Sequence, residues 1–152
     1  AMSEDKSTEK TRYTIDLDLV FKTVEGRVMQ NTKLDDMGMP IFKERREGDN
    51  RVVYEREPLT MRSVIVTALT SVTEKEQKEN SMKGRQKLLM DKLAEKVMKH
   101  PTGKKMTLTV SQGTYICRRV NLIYPAQRAT SIVWTAFDYN VPEDLDNFED
   151  LV

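Results

Sequence analysis

The chain has 152 residues, with 25 Lys+Arg against 24 Asp+Glu, one His and one Cys. Its length suits one core, and 38 % hydrophobic with 32 % charged residues places it on the polar side of the globular range. One Cys excludes an intramolecular disulfide and suggests a reducing compartment, one His excludes a multi-histidine metal site, and no apolar run approaches the ~20 residues of a membrane span.

Ala1-Met2 reads as a remnant of tag removal, and no signal peptide opens the chain. Residues 3–11 hold no apolar side chain, so 1–11 are expected to be a disordered arm. From Tyr13 to Phe21 apolar residues alternate (Tyr13, Ile15, Leu17, Leu19, Phe21), which predicts a strand with one buried face. Glu25-Gly26 offers a turn, and Arg27–Gln30 a short returning partner. Residues 31–40 read as a loop. Ile41-Phe42 and Val52–Tyr54 predict a second hairpin, with Gly48-Asp49-Asn50 supplying its turn.

At Pro58 the period changes from two to about 3.6. Met61, Val64, Ile65, Ala68, Leu69 and Val72 make one helical stripe, with Thr60 placed as N-cap. A polar connector, Thr73–Asn80, leads to a second helix capped by Asn80 or Ser81. Its inner face is Met82, Gln86, Leu89, Met90, Leu93 and Val97, and His100-Pro101-Thr102-Gly103 stops it. Beyond Lys105 the composition favours strands, as in Met106–Val110, whereas the spacing of Tyr115, Ile116, Val120 and Ile123, then Ala129, Ile132, Val133, Ala136 and Phe137, favours helices. We take two short helices, the first capped by Ser111. The expected fold is α+β: one domain over 12–138, with N-terminal antiparallel β-hairpins packed on three to four helices. An acidic C-terminal tail follows at 139–152.

Charge is strongly segregated. Residues 83–128 carry eleven bases (Lys83, Arg85, Lys87, Lys92, Lys96, Lys99, Lys104, Lys105, Arg118, Arg119, Arg128) and two acids, or +9, while 138–152 carry six acids and no base. The basic residues are either the wet face of a helix or a surface for polyanions, nucleic acid included. No helix-turn-helix, zinc finger or aromatic ribonucleoprotein strand accompanies them. In the tail, Phe148, Leu151 and Val152 are interleaved with Asp146, Glu149 and Asp150, a pattern suited to a groove rimmed by bases. The alternatives are a solubilising tail, or one folded back on the chain's own basic region.

Catalytic groups are sparse. His100 reads as a helix cap facing the dipole, Cys117 as a small core residue and Trp134 as core. Asp16 and Asp18 share the polar face of the first strand, two carboxylates without a third ligand. No phosphate loop, dinucleotide fingerprint or nucleophile elbow occurs, so neither an enzyme, a cofactor nor a metal is expected.

The stretches TIDLDLVFKTVEGRVM and EPLTMRSVIVTAL, then KGRQKLLMDKLAEKV and an LT-opened segment ending near Phe137, resemble small accessory or regulatory proteins of tailed bacteriophages. The likeness spans roughly residues 13–138 and departs at the insertion Asn31–Arg56 and in the tail. It implies a viral protein acting in the host cytoplasm and carries over no catalytic residue. The tail also resembles the acidic tails with which single-stranded DNA-binding proteins recruit replication partners. The leading expectation is a protein partner of the replication or transcription machinery, contacted through Phe148, Leu151, Val152, Asp146, Glu149 and Asp150. The rival is DNA-binding through the eleven bases. A homo-oligomer is left open.

Overall fold

The computed structural model describes residues 12–48 and 51–137; the arm and the tail lie outside the described residues. In chain order the elements are β1 (Arg12–Ile15), β2 (Gln30–Thr32), β3 (Phe42–Arg45), β4 (Val52–Tyr54), β5 (Arg56–Pro58), α1 (Met61–Thr70), α2 (Glu74–Glu79), α3 (Gly84–Lys99), β6 (Met106–Thr109), α4 (Val110–Ile123) and α5 (Gln127–Ala136). Helices and antiparallel strand pairs make the mixed α+β fold that the change of period at Pro58 implies. Within it are two compact units: Val20–Leu59, and the segments on either side of it.

The helical unit is organised around α1. Met61, Val64, Ile65, Ala68 and Leu69 are buried, and the helix packs on both α3 and α4. Each of these side chains except that of Ala68 contributes roughly 1.5–3 kcal/mol relative to exposure, which outweighs the β-branched residues' modest helix propensity. Thr60 caps α1 as expected: its hydroxyl accepts from the Ser63 N–H while the Ser63 hydroxyl accepts from the Thr60 N–H.

Four expectations change here. The strand read over Tyr13–Phe21 is regular only to Ile15, and its partner is β6, with Tyr13 opposite Leu108 and Ile15 opposite Met106. Those four side chains are buried on one face. Leu17 and Phe21 are buried too, but Leu19 is exposed, because Asp16 Oδ1 accepts the Asp18 N–H and turns the chain. The connector after Thr73 is not irregular. Thr73 and Glu76 close a reciprocal capping box that starts the six-residue α2. The cap of α3 is Lys83 rather than Asn80 or Ser81, and it makes no side-chain hydrogen bond. Beyond Lys105 both tendencies are realised in turn. Met106–Thr109 is a strand, and Thr109, not Ser111, then caps α4 through a box with Gln112.

The second unit is a branched β-ribbon closed by two triangles of backbone hydrogen bonds. In one, Phe21 donates to Leu59 (2.8 Å), Leu59 to Met29 (2.8 Å) and Met29 to Phe21 (2.9 Å). In the other, Lys33 donates to Glu55 (2.8 Å), Glu55 to Ile41 (2.8 Å) and Ile41 to Lys33 (3.1 Å). Each triangle satisfies three N–H and three C=O groups where a two-stranded ladder forks and would otherwise orphan them. Antiparallel β2 and β5 connect the triangles. One arm is the predicted turn at Gly26 (φ +89°), closed by the Lys22–Val28 bridge. The second arm replaces the loop expected over 31–40. Leu34 bridges Pro40, Asp35 Oδ1 accepts from the N–H groups of Met37 and Met39, and Gly38 turns at φ +80°. The third arm is the expected hairpin, now β3 with β4.

Candidate interaction surfaces

The eleven bases of residues 83–128 do not form one face. Arg119 is 4 % exposed: its guanidinium reaches both Glu76 carboxylate oxygens (2.8 and 3.3 Å) and the Ser71 carbonyl (2.7 Å). It ties α4 to the start of α2 and the end of α1, and is thereby removed from any polyanion surface. Burial pushes the Glu76 carboxyl up, but hydrogen bonds from Arg119 and from the Thr73 backbone outweigh it and hold the carboxyl below its ordinary value. Arg128 is half-buried, whereas Lys83, Arg85, Lys87, Lys92, Lys96, Lys99, Lys104, Lys105 and Arg118 are exposed.

On α3, Arg85, Lys92, Lys96 and Lys99 stand at i, i+7, i+11 and i+14. At 3.6 residues per turn they share an arc of about 60° and make a stripe about 21 Å long. Lys87 lies on the other edge of the wet face, beside Asp91.

A cavity of about 470 Å³ opens between Gln86 at the start of α3 and the helices α4 and α5, where Tyr115, Arg118, Leu122 and Trp134 line it. A second, also about 470 Å³, shares Asn121 and Trp134 with it and continues along Tyr124, Gln127 and Ser131. Trp134 is thus half-buried between two cavities rather than core, with its indole N–H on the Cys117 carbonyl (3.3 Å). Gln86 donates to the Tyr115 hydroxyl (2.8 Å). Neither Trp134 nor Gln86 was distinguishable in sequence from a core position, because both fall on apolar stripes.

The remaining chemistry-bearing residues have structural partners. Cys117 is fully buried, which pushes its thiol up to about 12. Asp18 accepts from the Gly103 N–H (2.7 Å) and lies 3.6 Å from the Arg62 guanidinium, and Asp16 holds its turn. Among the described residues no group of three or more His, Cys, Asp or Glu is placed to hold a metal ion. His100 ends α3, but the cation on that helix end is Arg62, whose Nη1 donates to the carbonyls of Val97 (2.6 Å), Met98 (3.2 Å) and His100 (2.7 Å). The His100 ring instead sits 3.0 Å from the Lys105 carbonyl.

The last surface was not anticipated. Of twelve exposed large hydrophobic residues among those described, seven lie on the ribbon: Val24, Val28, Leu34, Met37, Met39, Phe42 and Tyr54. Met37 is 88 % and Val24 84 % exposed, so the arms carry apolar side chains that their own unit does not bury. The partner-binding residues expected in the tail (Asp146, Phe148, Glu149, Asp150, Leu151, Val152) lie outside the described residues. No described helix is long and apolar enough to cross a membrane. No protein-family model, curated protein or solved structure matches the chain.

Proposed function

We propose that this chain is a non-enzymatic binding protein that docks another protein through the arms of its β-ribbon. The role that goes with it is that of a bacteriophage accessory protein in replication or transcription, in line with the resemblance of residues 13–138. The supporting observation is the concentration of exposed Leu, Met, Phe and Val on residues 20–59, around ladders only two strands wide. Flexible, polarisable methionines suit a surface that adapts to a partner, and open strand edges offer main-chain hydrogen bonds to it. The test is capture of a partner from infected host cells, its purification, and titration against wild type and the Leu34→Ser, Met37→Ser, Met39→Ser variant. Affinity is expected to fall at least about tenfold with an unchanged melting temperature. Equal affinity would remove the ribbon as the docking surface.

The α3 stripe supports a second reading, binding to a polyanion such as DNA. Electrophoretic shift of single- and double-stranded DNA across a salt series tests it. Binding should weaken steeply with salt and be lost in Lys92→Glu, Lys96→Glu. No binding at low salt would remove this reading.

A further inference from the structure

We propose that the paired cavities flanking Trp134 are the seat of this chain's own residues 139–152. The two cavities in series, sharing Trp134 and Asn121, describe an elongated groove rather than a pocket for a compact ligand. Its walls combine Tyr115, Leu122 and Trp134 with the amides of Gln86, Asn121 and Gln127. Amides of this kind pair with peptide N–H and C=O groups, and the aromatic and aliphatic walls take apolar side chains. The charged residues lining the groove are Glu76, Arg118 and Arg119, which sum to +1. The fitting occupant is therefore an extended, acidic segment with interleaved apolar side chains.

Residues 139–152 have that chemistry: Glu143, Asp144, Asp146, Glu149 and Asp150 with Leu145, Phe148 and Leu151, and no base. They also start in the right place. Phe137 ends the helix that carries Trp134, and the eleven residues from there to Phe148 span up to about 36 Å extended. The groove runs beside helices of 14 and 10 residues, about 21 and 15 Å long, so Phe148 reaches any part of it. Tethering puts the segment at an effective concentration on the order of millimolar, which makes modest affinity sufficient. In this arrangement any external ligand of the groove competes with the tail.

Trp134 is the sole tryptophan, so its fluorescence in the full chain reads the groove directly. In Phe148→Ala, Leu151→Ala, acrylamide quenching of Trp134 should rise about twofold or more as the ring is uncovered, with a red-shifted emission. Arg118→Glu should act in the same direction, and 1 M salt on the wild type should do so without any substitution. Circular dichroism melts of the variants should match wild type. Unchanged quenching in both variants and at high salt would overturn the proposal. So would quenching of the wild type that varies with protein concentration between about 1 and 100 µM, since that would place a second copy's tail in the groove.

Discussion

Arg119 and Glu76 show how one residue pair fixes the join of three helices. With Arg119 side chain 5 % and Glu76 16 % exposed, both charges are largely shielded from water. Removing one partner from such a pair costs about 3–5 kcal/mol, because the other charge stays buried alone. Glu76→Gln is expected to lower the melting temperature sharply at pH 7. Glu76 is held below its ordinary value, so its contribution is complete above the unfolded-state value of about 4.3 and is lost as pH falls through the folded one. Wild type should therefore lose stability on acidification below about pH 4, and Glu76→Gln should lose less over that window. A melting series from pH 7 to 3 on both proteins checks the sign. Gly113 makes a separate claim. A Cβ there would stand 2.8 Å from the Phe137 ring and 2.9 Å from that of Tyr13, two rings already packed edge to face. Gly113→Ala should destabilise by about 1–3 kcal/mol in denaturant melts, although alanine is the better helix former.

Among elements, legibility followed the range of the interaction. Thr60 and the α1 stripe were readable because a cap and an apolar face are local and periodic. The Thr73-x-x-Glu76 capping signature was equally local and was overlooked beneath the polarity of the segment. The β1–β6 pairing joins residues more than 90 positions apart, which no local pattern encodes. The triangles at Phe21 and Lys33 are built wholly from backbone groups, so side chains carry no trace of them. Arg62 belongs to this scale as well, since from α1 it binds three terminal carbonyls of α3. Arg62→Met should cost about 2–3 kcal/mol in a denaturant melt and release the last turn of α3 to faster hydrogen exchange. An Arg62→Met protein with wild-type stability would show those carbonyls to be satisfied by water.

Over the whole chain, what decides function is which surfaces are left unsatisfied. The helical unit buries most of its apolar residues around α1, and most of its bases face water. Among the described residues, the ribbon carries more than half of the exposed large hydrophobics. Charge segregation was visible in the sequence, whereas the ribbon's exposure was not, because an apolar residue in a short strand reads the same whether its side chain is buried or exposed. The direct test is hydrogen exchange on the full chain with and without its purified partner. Slowed exchange across 22–28, 34–45 and 52–54, with α3 unchanged, is the predicted result. Protection confined to the α3 stripe, or absent from the ribbon, would contradict it.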